Sequence, residues 1–156
     1  MDKLMQGGMA LAGRVCLVMI FLMSALMEKI PSFDTVAGVM AGEGMPVPKV
    51  MLAGGIAFMV LGSLSLLLGF KVRVGAAMLA LFLVLANYYF HDFWAFEDAQ
   101  AKEQQMIAFM KNTAIFGAML FVMANGAGVW SLDQAMKNGK STAKQESKKA
   151  QPAGTP

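Results

Sequence analysis

The sole histidine of this 156-residue chain, His91, follows Asn87 by four residues, so the two share a face of any helix that holds them. Two further polar pairs, Glu28-Lys29 and Lys111-Asn112, stand at the ends of apolar runs, and Arg14 lies inside one. An imidazole can give or take a proton near neutrality. Ammonium and guanidinium groups attract anionic or carbonyl oxygens. Together Arg14, Glu28, Lys29, Asn87, His91, Lys111 and Asn112 could hold the polar head of a ligand. Little other chemistry is open to the chain. One histidine excludes bis-histidine haem within a single chain, leaving only a His/Met pair. There is no Cys/His set for zinc and no Gly-Lys-Ser/Thr loop for phosphate. No nucleophile, base and orienting acid fall at catalytic spacing. The lone Cys16 excludes an intramolecular disulfide, and its place in an apolar run predicts a buried, unreactive thiol. Sixteen methionines suggest soft Cu(I) chemistry, but they are scattered without a Met-x-x-Met cluster and read as flexible packing filler. The chain therefore carries no catalytic group, metal site or intrinsic cofactor motif of its own.

The elements that must position these residues are four apolar stretches, at about 9–27, 50–70, 74–90 and 113–132. A bilayer core about 30 Å thick needs about 20 apolar residues in a helix, with about 17 as the lower limit. Backbone groups in lipid must be satisfied within the segment, so such runs are helices. Hydrophobic residues make up 57% of the chain and charged residues 15%, well below the usual share for a soluble protein. The fold expected is all-α, a multi-pass bundle of four transmembrane helices over residues 1–135. The first run follows Lys3 but is interrupted by Arg14 and followed by three more spans, so it reads as a retained helix rather than a signal peptide.

Charge sets the expected orientation. With both termini in the cytoplasm, Lys3, Arg14, Lys71, Arg73 and the five tail lysines lie inside, and only Lys29, Lys49, Lys102 and Lys111 outside. The acids agree, since Glu28, Asp34, Glu43, Asp92, Glu97, Asp98 and Glu103 all fall in the two outer loops. The net charge of +3 comes from Lys137, Lys140, Lys144, Lys148 and Lys149 in residues 136–156. That tail reads as a disordered segment lying beside anionic lipid, not as a nucleic-acid arm. Between the second and third spans only Lys71-Val72-Arg73 intervenes, which predicts a tight hairpin. In the first outer loop Pro31, Gly42, Gly44, Pro46 and Pro48 are expected to break any helix that starts. In the second, 99–106 is amphipathic and predicts a short interfacial helix leading into span four. Phe93, Trp94 and Phe96 mark one membrane interface, and Trp130 the other.

Gly55, Gly62 and Gly69 recur every seven residues and so lie near one stripe of the second helix. Small residues let helices approach closely where lipid supplies no hydrophobic drive. These three glycines, with Ala76 and Ala80, are expected packing contacts within the bundle, a homodimer contact being the alternative. Arg14 has two readings: it snorkels to the interface, or it pairs with Asp133 at a similar depth. The outer-end groups Glu28, Lys29, Asn87, His91, Lys111 and Asn112 form the best pocket candidate, against the plainer reading that charges at helix ends only solvate an interface.

Several of these residues form a pattern. Gly13-Arg14, Phe21, Ser24 and Lys29 lead into Leu61-Gly62-Ser63-Leu64, Leu67-Leu68-Gly69-Phe70 and Arg73; then come Phe90-His91-Asp92-Phe93-Trp94, Lys111-Asn112 and Gly126-x-Gly128-x-x-Ser131-Leu132-Asp133. This resembles the DoxX family of membrane proteins. The resemblance implies four transmembrane helices, a bacterial inner membrane, and an association with redox systems through a subunit of a thiosulfate:quinone oxidoreductase. Many relatives carry a glutamate in the second helix where this chain has Met59. Three functions follow. The first is a membrane subunit of a redox complex that docks a quinone or a redox protein partner, with Arg14, His91 and Lys111 holding polar groups. The second is a scaffold or assembly factor without a ligand. The third, less favoured for want of inverted repeats and mid-depth helix breaks, is a small-solute transporter.

Overall fold

The computed structural model describes residues 2–139 and 141. Helix α1 (Lys3–Met23) runs into a π-helical turn (Ser24–Lys29). Next come α2 (Phe33–Gly42), α3 (Pro48–Leu68) and α4 (Val72–Phe90). A 3-10 turn (Phe93–Ala95) leads to α5 (Ala99–Asn125), and a last helix, α6, covers 132–139. Four of these segments, Lys3–Lys29, Pro48–Leu68, Val72–Ala95 and Ala99–Asn125, are long and apolar enough to cross a membrane. The all-α, four-span architecture read from the sequence is the one observed.

Four local expectations change. The first long loop contains α2: Pro31 lies ahead of its first turn and Gly42 at its last, so neither interrupts the ladder. No separate interfacial helix precedes span four. The Asp98 carboxylate accepts from Ala101 N at 2.7 Å and starts a single helix of 27 residues. At 1.5 Å per residue that is about 40 Å, longer than an apolar core, so its polar first turns project beyond it. Span four also ends earlier than expected, at Asn125, and the chain then turns back. Ser131 caps α6 by accepting from Gln134 N at 3.2 Å, so helix continues past residue 136, where the sequence reading starts a disordered tail. The rest of that tail, apart from Ser141, lies outside the described residues.

The spanning helices pack as an open series: α1 along α3, α3 along α4, α4 along α5, with α2 laid on α3. The α3–α4 contact is closest at Gly62 and Gly75. A Cβ on Gly62 would lie 2.8 Å from Leu79 Cγ and 3.0 Å from Gly75 O, and one on Gly75 would lie 3.0 Å from Gly62 O. Gly55 faces the Phe82 ring at 3.6 Å, and Gly69 sits under the segment after α5. The glycine stripe thus packs inside the chain, and Gly75 is the partner that the sequence reading missed. Gly69 (φ +68°) also ends α3, where Phe70 N donates to Ser65 O at 3.0 Å and Gly69 N to Leu66 O at 3.2 Å. Helix α1 buries Gly7, Arg14, Val18 and Phe21, a stripe that leaves Cys16 on the opposite, exposed face. The expected buried thiol is therefore an outward one.

At the end of the bundle that carries the start of α1 and α6, called the terminal end, residues 126–131 cross from α5 back to α1. The Trp130 indole lies on Gly7, whose added Cβ would sit 2.7 Å from it, and Gly128 (φ +80°) abuts Ala10 Cβ. Arg14, 4% exposed, fastens the crossing. It donates to the Leu66 carbonyl at 3.3 Å, the Ala10 carbonyl at 3.3 Å and the Trp130 carbonyl. Neither sequence reading of Arg14 holds: it neither reaches solvent nor pairs with Asp133. The Asp133 carboxylate instead accepts from Lys71 N at 2.9 Å and Val72 N at 3.2 Å, capping α4 from across the bundle. Asp133 N closes the stitch by donating to Gly69 O at 2.9 Å.

Two outcomes are expected. Gly62→Leu forces apart a backbone contact and destabilises the bundle by about 2–3 kcal/mol, whereas Gly54→Leu, with open space beside it, leaves stability unchanged; unfolding titrations in mixed detergent micelles compare them. Arg14→Leu leaves the carbonyl of Trp130 without its donor, at a cost of about 1–3 kcal/mol, and frees the crossing. Limited proteolysis then cuts Arg14→Leu after residue 125 at protease levels that leave the parent chain whole.

Candidate functional site

At the opposite, distal end the helices do not close. A cavity of about 670 Å³ lies among α1, α3, α4 and α5 beneath α2. Its floor is apolar, with Phe58, Met59 and Phe82, and its roof is formed by Val36, Val39 and Met40 of α2. Met59 is fully buried, so the place where many relatives are expected to carry an acid is here part of an apolar floor.

The polar groups gather at the distal rim. On one wall the π-turn widens the helix so that residues five apart meet: Ile30 N donates to Ala25 O at 3.0 Å. The same geometry joins Ser24, Glu28 and Lys29. Ser24 Oγ donates to Glu28 Oε2 at 2.9 Å, and Lys29 Nζ donates to Ser24 Oγ at 2.9 Å and to Glu28 Oε2 at 3.2 Å. Lys29 is half-buried by its neighbours while Glu28 is exposed. Single-turn π segments recur at functional sites because they re-aim side chains without breaking the helix. Ser24 takes part in this rim although the sequence reading left it out; only the π geometry, which sequence periodicity does not show, brings it to Lys29.

The other wall carries His91, Lys111 and Asn112. His91 ends α4, and its Nδ1 lies 2.8 Å from Gln105 Oε1 of α5. The tautomer that donates Nδ1–H to that oxygen leaves Nε2 to accept. Asn112 Nδ2 donates to Asn87 Oδ1 at 3.0 Å, and Asn87 Nδ2 to Phe109 O at 3.4 Å and Thr113 Oγ1 at 3.3 Å. Asn87 and His91 do share a face, and that face meets α5. Asn87 itself borders a separate pocket of about 290 Å³ with Tyr88 and Trp94, on the other side of the α4–α5 contact. Phe93, Trp94 and Phe109 stack edge-on beside it, with ring centroids 5.1–6.1 Å apart.

Of the seven residues singled out from the sequence, five line the large cavity: Glu28, Lys29, His91, Lys111 and Asn112. Asn87 supports it through Asn112, and Arg14 lies at the far end of the bundle. The six outer-end residues are thus gathered at one end, and Arg14 stays at the other, where the charge pattern places it. Among the described residues no three His, Cys, Asp or Glu side chains approach closely enough to hold a metal ion. What the arrangement can do is seat an amphipathic molecule, its apolar body on the floor and its hydrogen-bonding head at the rim.

The fold agrees with the comparisons. The DoxX family model matches residues 9–92, from α1 to just beyond α4. Inner membrane protein YphA of Escherichia coli K12 is 29% identical over 124 residues, covering 80% of this chain and 87% of its own. The Surfeit locus protein 4 homolog of Schizosaccharomyces pombe is 27% identical over 128 residues, 81% of this chain and 37% of its own length. ER-derived vesicles protein ERV29 of Saccharomyces cerevisiae is 27% identical over 78 residues, 50% of this chain and 25% of its own. No solved structure matches. The matched region spans more than half of the chain and includes three of the four helices that wall the cavity, and the chain belongs to the DoxX family of integral membrane proteins.

Proposed function

We propose that this protein is the membrane-embedded subunit of a redox system in a bacterial inner membrane, with both termini in the cytoplasm. Its distal cavity holds a quinone-class molecule, and a partner protein brings the redox centre. The observation that carries this reading is the division of the cavity: an apolar floor of Phe58, Met59 and Phe82, and a rim with Lys29, His91 and Lys111. Quinone oxygens accept hydrogen bonds from ammonium groups, His91 Nε2 can accept one from a hydroxyl of the reduced quinol, and an isoprenoid tail suits the floor. Lys29 is already paired with Glu28, whereas Lys111 adds a positive charge that favours the anionic forms a quinone passes through on reduction. Family membership supports the reading through the expected redox association, and the inner-membrane relative supports the location.

A scaffold role has one observation in its favour. Helix α5 buries only Asn112 and Met119, so most of its surface is open to lipid or to another protein. The two readings part on a bound molecule. Protein purified in mild detergent is expected to carry a quinone detectable by mass spectrometry of the extract. His91→Ala and Lys111→Ala each lower the quinone-to-protein ratio about tenfold, the change that ~1.4 kcal/mol of lost affinity produces. Identical lipid-only extracts from the parent and both variants overturn the quinone site and leave the scaffold.

A further inference from the structure

We infer that the distal cavity takes its occupant sideways out of the bilayer, through the gap between α1 and α5, so that its ligands are membrane-dissolved amphiphiles and not solutes from water. This rests on the reading of the cavity as a ligand site and narrows what can reach it. Four observations define the route. Helices α1 and α5 stand at the two ends of the packing series and do not run along each other. The cavity is nevertheless walled by both, with Ile20 on α1, Ser24 on the π-helical turn that continues it, and Lys111 and Ile115 on α5. The terminal end is shut, because the 126–131 crossing lays Trp130 on Gly7 and Arg14 binds its carbonyl. The distal end is roofed by α2, whose Ala37 and Met40 are buried in one cluster with Leu52 of α3. An ion pair from Asp34 to Lys49, 2.8 Å long, joins the first turns of α2 and α3. The side between α1 and α5 is what remains.

The chemistry of that gap fits the same class of ligand. Its deeper edges are the apolar Ile20 and Ile115, and its polar groups, Ser24 and Lys111, stand only toward the distal rim. A molecule sliding in from the distal leaflet keeps its chain in hydrocarbon throughout and exchanges headgroup water for these side chains. A free polar solute would have to leave water for hydrocarbon first, which is costly.

The full chain is tested as Ile20→Cys/Ile115→Cys in a Cys16→Ser background, reconstituted in phosphatidylethanolamine–phosphatidylglycerol vesicles. A small fraction of the phospholipid carries a photoreactive diazirine on its acyl chain. Thiol-reactive linkers of graded length, each with a reducible centre, tie the two helices together before illumination. Labelling is read by peptide mass spectrometry at Ile56 and Phe82 inside the cavity, relative to Leu61 on the exposed face of α3. In the open variant all three positions are labelled. Linking lowers cavity labelling about tenfold against Leu61, and reduction restores it. Cavity labelling unchanged by the link, or label at Leu61 alone in the open protein, overturns the route. Loading of a long-tailed benzoquinone is measured in the same vesicles without the diazirine lipid. Lipid label that depends on the gap, together with no quinone uptake, keeps the lateral route and rejects the quinone assignment alone.

Discussion

A guanidinium buried inside an apolar bundle must be surrounded by acceptors, and the way Arg14 finds them organises the terminal half of this protein. No carboxylate supplies them. They are main-chain carbonyls: Ala10 in the preceding turn of its own helix, Leu66 in the last turn of α3, and Trp130 in the chain after α5. The carbonyls of a helix's last turn carry partial negative charge and lack partners within the helix. Leu66 O already accepts from Gly69 N at 3.2 Å, and its second lone pair takes Arg14, while Trp130 O in the chain after α5 takes the guanidinium as its donor. Three segments distant in sequence are drawn to one point, and Gly69 has to lack a side chain because Ser131 Cβ would be only 2.6 Å from a Cβ there.

The same logic explains why the helices close at one end and splay at the other. At the terminal end polar main-chain groups are tied together twice, by Arg14 and by the Asp133 carboxylate on the first amides of α4. Gly62 and Gly75 bring the backbones of α3 and α4 together at mid-depth. Beyond that point the rings of Phe21 and Phe82, 6.4 Å apart and edge-on, are among the contacts that span the interior. There the cavity opens, and the π-helical turn at the end of α1 supplies Ser24, Glu28 and Lys29 to its wall. The cavity is the space left between a tightly stitched end and a spread one.

Met59 bears on function. An acid at this depth, as expected in many relatives, would place a proton-binding group on the cavity floor. With Met59 fully buried there, the ionisable groups are confined to the rim. Such a cavity is suited to holding the head of an amphiphile near the interface and poorly suited to passing a proton or ion through the bundle.

The sequence by itself determined the number of spans, the helical class, the α3–α4 hairpin and the gathering of polar groups at one end. Each depends on local quantities, hydropathy summed over a helix length and the charge of short loops, that neighbouring elements cannot overturn in a bilayer. It also picked out Gly55, Gly62 and Gly69, because small residues repeated on one helix face allow close approach, but not Gly75, the partner of Gly62 on α4. Tertiary structure decided the rest. Which acceptors serve Arg14 depends on a carbonyl 116 residues away, and carbonyls leave no mark in a residue string. Helix α2 was hidden because Pro31 and Gly42 read as breakers until their positions just outside the first turn and at the last turn are known. Cys16 and Arg14 lie two residues apart in the same apolar run, and only the direction of packing puts one outside and the other within. In an apolar run almost every position can face lipid or protein, so periodicity alone does not say which face is which; the few polar groups that must find partners do.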